Sequence, residues 1–319
     1  MILLWLGIVP HNKVSADKLR RGLAKLMAND RSMTVKTAAD GVVMIGAESE
    51  EQLDAGVDVL VHGFGVEAAV DRIEVDYKEG LTHAAEGEAK HVTREGGRSQ
   101  YAHVKLRVEP GDPGSGNAFE NAVAGGAIPE RMIPSIDVGI REGLDRGVLA
   151  GYPIDDVRVT VYDGSYHEVD SSEAAFRMAG ILAFRDAALK ARPILLEPIM
   201  RVSVVVPPDY ERRVNDGLRE RGAGFQSFSE SVADSETIET MTISALVPLS
   251  KMFGYGLELR ARTDGLGRFR MTFSHYAPAI LSGEDGDRWA DVTAPLRPRT
   301  PLRALRASVP EPEDDFGAH

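Results

Sequence analysis

DVRVTVYDGSYHEVDSSEAAF, residues 156–176, is the most informative stretch of this chain. Val157, Val159 and Val161 alternate, so the first half is a strand with one buried face. Asp163-Gly164-Ser165 is turn chemistry after that strand. Tyr166 and His167 then project from a loop. Asp170, followed three residues later by Glu173, has the form of a capping box with Asp as the cap. The helix it opens is rich in Ala and carries Phe176, Leu182, Phe184 and Leu189, until Arg192-Pro193 stops it. The stretch is therefore an α/β unit that presents two rings on a loop.

On its N-terminal side, HVTREGGRSQ and YAHVKLRVEP pair as strands, with Val104, Leu106 and Val108 on one face. DPGSGNAFEN reads as a loop, and a helix is expected near 134–147 with Ile136, Ile140 and Leu144 on one side. Further upstream, residues 1–86 read strand, helix, strand, strand, helix, strand. Ser15 is the expected cap of the first helix, which carries Leu19, Leu23, Leu26 and Met27. Asp40-Gly41 is the expected hairpin turn, and the second helix carries Leu53, Val57, Leu60, Val61 and Phe64. Downstream, residues 193–280 repeat that order, with Gly222 ending a helix. Residues 281–319 are polar and Pro-rich without apolar period, and read as a disordered tail. The fold class is α+β: two βαββαβ units flank a middle unit at 87–192.

Length and composition set the outer limits. The 319 residues suit two or three domains, and 43% hydrophobic with 27% charged residues lets each bury a core. There is no cysteine, which excludes disulfides and thiolate metal sites. MILLWLGIVPHNK has a short apolar run with no basic residue before it, so it reads as a buried strand rather than a signal or membrane span. The expected compartment is the cytoplasm, with no membrane partner. A net charge of −12 speaks against nucleic acid as a whole-molecule quantity, but binding is local.

GGRSQYAHV, GGAIPERMIPSI, GVLAGYPIDDVRVTVYDGSYHEVDSSEAAF, LLEPIM and VPLSKMFGYGLELRARTDG, in that order, resemble translation elongation factor G. The resemblance is dense from about 87 to 278 and thinner from 1 to 86. It corresponds to the family's C-terminal half: domain III at 1–86, domain IV at 87–192, domain V at 193–280. It implies ferredoxin-like folds for the two outer units. It implies for the middle one an α/β unit of ribosomal-protein type, built with a left-handed crossover against the physical default. It further implies that loops Gly96-Gly97-Arg98-Ser99-Gln100 and Ser165-Tyr166-His167 form a tip that enters the decoding centre and meets tRNA and mRNA. The helix with Arg219 and Arg221 would face ribosomal RNA of the large subunit. The residue chemistry agrees in kind: rings stack on bases, Arg98 pairs with phosphate, and glycines let backbone approach RNA.

The implied role is ribosome binding during translocation, with no catalytic residue of its own. No G-x-x-x-x-G-K-[ST] occurs, so GTP would enter only through a missing or separate G domain. Alternatives are one half of a split GTPase translocase, whose G domain is on another chain, and a diverged remnant that does not translocate. A ribosomal protection protein fits less well, because its loops lack the SYHEVDSSE pattern. His103, His167 and nearby acids lack metal-ligand spacing, and no G-x-S-x-G elbow supports a hydrolase. Lys18, Arg20, Arg21 and Lys25 on the first helix read equally as a solvated face.

Three departures from the family stand out: Gly46-Ala47-Glu48-Ser49-Glu50-Glu51-Gln52-Leu53 where it has a Gly-Met-Gly-Glu-Leu-His-like stretch, Leu266 between Gly265 and Gly267, and the Arg-poor Arg221-Gly222-Ala223-Gly224. The last two each remove a possible phosphate contact, so salt-sensitive ribosome affinity should fall below the family norm.

Overall fold

Strand alternation and helical period build three sheets. A computed structural model of the chain describes residues 2–38, 41–95, 98–225, 230–232, 240–279 and 300–301. The first unit runs β1 (Leu4–Pro10), α1 (Lys13–Asn29), β2 (Thr34–Thr37), β3 (Val43–Ala47), α2 (Glu50–Asp58) and β4 (Ala68–Val75). Its sheet order is β4-β1-β3-β2, all antiparallel. Leu19, Leu23 and Leu26 of α1 and Leu53 of α2 share one core with Ile8 and Ile45. The cap of α1 is Asn12 rather than Ser15: the Asn12 side chain accepts the Ser15 N–H at 2.8 Å, and Ser15 is buried. Gly41, at φ +86°, closes the β2–β3 turn, while Asp40 lies outside the described residues.

The middle unit runs β5 (Lys78–Leu81), β6 (Ala85–Glu95), β7 (Arg98–Pro110), β8 (Ala118–Asn121), α3 (Ile133–Arg146), β9 (Val157–Ser165) and α4 (Glu173–Lys190). Sheet order is β6-β7-β9-β8, with β8 parallel to β9. β8 falls in a stretch that reads as loop. Asn117 pins it, donating to the Ile154 carbonyl at 2.7 Å and accepting the Val157 N–H at 3.0 Å. Helix α4 lies so close on β6 that a Cβ at Gly87 would meet the Ala187 nitrogen at 2.4 Å. Its cap is Ser172, whose hydroxyl accepts the Ala175 N–H at 3.2 Å; Asp170 is left to the preceding loop.

The third unit runs β10 (Pro193–Val206), α5 (Glu211–Glu220), β11 (Gly224–Phe225), β12 (Glu230–Val232), β13 (Thr240–Pro248), α6 (Tyr255–Arg262) and β14 (Arg268–Pro278). Its order, β11-β13-β10-β14, repeats the plan of the first unit, and both are ferredoxin-like. β5 belongs to this sheet, because it pairs with the start of β10. The outer units share one apolar core, and the Gly254 N–H donates to Glu50 at 3.1 Å. The departure at 46–53 thus supplies Ser49 as the α2 cap and Glu50 as a tie to the third unit. In the stretch read as tail, β15 (Thr300–Pro301) pairs with β4; the rest of 280–319 lies outside the described residues.

Tyr255 is buried, its hydroxyl has no hydrogen-bond partner among the described residues, and desolvation pushes that hydroxyl strongly upward in pKa. Tyr255→Phe removes the orphaned oxygen and keeps the ring. It is expected to raise stability by about 1 kcal/mol in urea titration.

Candidate nucleic-acid interface

The β6–β7 hairpin and the β9–α4 loop end at the same side of the middle sheet, and Tyr101 ties them together. Its N–H donates to the Asp170 carbonyl at 2.8 Å, and its carbonyl accepts from the Ser171 hydroxyl at 2.7 Å. Its phenol oxygen lies 2.7 Å from Ser165 Oγ, which is also 3.3 Å from His103 Nδ1. These contacts hold β7 and the β9–α4 loop in one register. Tyr101 sits in the GGRSQYAHV motif, yet residue type alone does not show that it bridges two loops.

His167 is fixed by its own loop. Its N–H donates to Ser171 Oγ at 2.9 Å, and its carbonyl accepts the Ser171 N–H at 3.1 Å. The Val169 and Asp170 amides both point at Nδ1, at 3.3 Å. Nδ1 is thus the ring nitrogen turned into the loop. Asp170 Oδ2 stands 3.2 Å from the same nitrogen. The Asp170 carboxylate lies against the histidine, while Ser172 sits in the cap position directly before Glu173. Tyr166, His167, Glu168 and Val169 are exposed in a row, Val169 at 84%.

Across the gap, Ser99 and Gln100 are half-buried at the start of β7, in register with Arg94 and Thr93. Gly96 and Gly97 lie outside the described residues, and only the backbone of Arg98 is described, paired with Glu95. On the outer face of the same sheet, Lys105 pairs with Asp163 at 2.9 Å, and that bond holds the Asp163 carboxyl below the usual carboxylate range.

Arg219 and Arg221 sit at the C-terminal end of α5 in the third unit and face different ways. Arg219 is mostly exposed and reaches Asp216 at 3.0 Å. Arg221 turns inward: it pairs with Glu258, donates to the Lys251 and Phe253 carbonyls, and stacks over Tyr255 at 5.2 Å. Glu258 also accepts from Arg262 at 2.7 Å. Among the described residues no group of His, Asp and Glu is arranged to hold a metal ion, and no helix is long and apolar enough to cross a membrane.

A junction that the sequence does not advertise orients the middle unit. Glu79 is fully buried, and its two oxygens accept the successive N–H groups of residues 148–152 at 2.7–3.1 Å. Such a run of amides is an anion nest; here the chain fills it itself. Gly147, at φ +63°, makes room: a Cβ there would meet the Tyr152 carbonyl at 2.1 Å and Glu79 at 2.6 Å. Lys78 pairs with Asp155, and Tyr77 packs on Tyr152 at 5.4 Å; burial pushes the Tyr152 hydroxyl up to about 12. Because β5 lies in the third sheet, the nest fixes the middle unit to it.

The family comparison agrees with this architecture. Residues 73–192 match elongation factor G, domain IV, and residues 194–283 match the elongation factor G C-terminus. Two adjoining matches to successive parts of one family define a translation elongation factor module. The chain belongs to the elongation factor G family, as its C-terminal half. A crystal structure of a protein from Thermus thermophilus is similar at 33% identity with a TM-score of 0.70. The likeness covers 87% of this chain and 41% of that one, so the chain spans well under half the length of that relative.

Proposed function

We propose that this chain is a ribosome-binding module that acts in tRNA and mRNA translocation, and that GTP chemistry, where it occurs, belongs to a separate G domain. The observation that carries this reading is the loop end: Tyr101 and Ser171 tie the β9–α4 loop to β7, and Tyr166 and His167 stand exposed on that loop. Preorganised rings of this kind stack on unpaired bases without the cost of ordering a loop. Residues 1–86 serve as a domain III-like base, supported by their β4-β1-β3-β2 order. The chain has no P-loop motif, so no step is assigned to a nucleotide here.

The remnant reading gains little support. Glu79, Glu197 and Ser15, all buried, have partners, and two buried side-chain atoms lack one among the described residues. The split-enzyme reading has to accommodate Glu50 of the altered stretch, which is already engaged with the third unit.

Co-sedimentation with ribosomes across a salt series tests the proposal. Pelleting should fall steeply with salt. Tyr166→Ala and His167→Ala should each weaken it by about 1–3 kcal/mol, the range for losing one ring–base stack. Absence of pelleting at low salt, or variants that pellet like the parent, would sink this reading.

A further inference from the structure

Helix α4 is apolar on two sides. Its inner face fills the middle core with Phe176, Ala183 and Phe184. Its outer face still carries Met178, Leu182 and Leu189, which are 41, 39 and 49% exposed and recur at helical spacing. A surface helix normally keeps that side polar. The adjoining side of α4 lines a groove of about 240 Å³ between α4, the end of α3 and the Glu79 nest, with Ile181, Phe184, Val148 and Leu149 in its wall. Arg146 and Arg185 rim it. Arg185 has no carboxylate partner among the described residues, whereas nearby Glu142 is taken by Arg177 at 2.7 Å.

An apolar groove with a basic rim suits an acidic segment that ends in an aromatic anchor. The chain contains one: PEPEDDF, Pro310–Phe316, in which four acids precede Phe316. We propose that this segment docks on the α4 groove of its own chain, with Phe316 against Leu149 and Ile181 and the acids facing Arg146 and Arg185.

Reach permits it. Thr300 and Pro301 are held on β4 opposite Val70 and Ala69. From there, residues 302–316 extend up to about 50 Å, while Val70 to Glu79 spans at most about 30 Å of chain. The Glu79 carboxylate touches the groove wall directly, at 2.7 and 2.9 Å from the Val148 and Leu149 nitrogens. A tethered segment also enjoys an effective concentration near millimolar, so a weak site suffices.

The test is a methyl NMR comparison of the full chain with one ending at residue 308. Truncation should shift the Ile181, Val148 and Leu149 methyls. A synthetic peptide of residues 309–319 added to the truncated chain should move them back in a saturable way. In the full chain, Arg185→Glu and Phe316→Ala should each give the truncated pattern, with the remaining methyls of the core unchanged to show that the fold is kept. Matching spectra for full and truncated chains would overturn the proposal, as would shifts centred away from α4. Shifts that depend on protein concentration would also overturn it, since the segment would then dock on a second copy.

Discussion

Glu79→Ala is expected to cost about 3–5 kcal/mol of stability, the largest loss of any single replacement outside the apolar core. Five backbone N–H groups converge on this carboxylate. An unmet buried donor costs about 1–3 kcal/mol, and water entering the cavity recovers part of the total. Glu79→Gln tests the charge apart from the volume: its amide nitrogen would face donors, so it should recover little. The measurement is urea unfolding together with hydrogen exchange at residues 148–152. Those amides should lose protection in both variants before the rest of the middle sheet does. A loss below about 1 kcal/mol in Glu79→Ala, with these amides still protected, would show that the nest is not what holds the junction. The consequence for function follows from topology. β5 is paired into the third sheet, so the nest transmits the orientation of that sheet to the loop end. Glu79→Ala should therefore weaken ribosome pelleting as well, although Glu79 itself is buried away from any RNA.

The strand and helix order was legible because period and alternation are local signals. Val157, Val159 and Val161 announced β9, and repeated βαββαβ order announced the two outer units. What stayed hidden was set by partners distant in the chain. Asn12 displaced Ser15 as a cap because the helix starts three residues earlier than apolar spacing suggests. Asp170 gave way to Ser172 as the cap because the helix begins at Glu173, two residues later than a cap at Asp170 requires. β8 was hidden by its glycine-rich approach and depends on Asn117 reaching residues 154 and 157. Glu79 drew no reading from the sequence, since nothing in its neighbourhood shows that GVLAGYP would wrap it. At the loop end, the exposed rings were legible from the motif, whereas the Tyr101 bridge was not. Glycines 96 and 97, and the Arg98 side chain, lie outside the described residues.

Arg219 and Arg221 are two residues apart and read alike in sequence, yet opposite outcomes are expected from replacing them. Arg221→Ala should cost about 2–4 kcal/mol, because it strips two carbonyls of their donor and leaves Glu258 to Arg262 alone. The loss should appear as a lower urea midpoint. Any drop in ribosome affinity should track the unfolded fraction. Arg219→Ala should change stability by no more than about 1 kcal/mol, as for an exposed pair. If α5 faces RNA, it should reduce the salt dependence of ribosome binding by about one unit of slope, the signature of one lost phosphate contact. The double comparison separates support from contact. Arg221→Ala with full stability and a reduced salt slope would mean that the guanidinium leaves Glu258 to reach RNA. Arg219→Ala with an unchanged slope would remove α5 from the interface and leave the loop end of the middle unit to carry the binding.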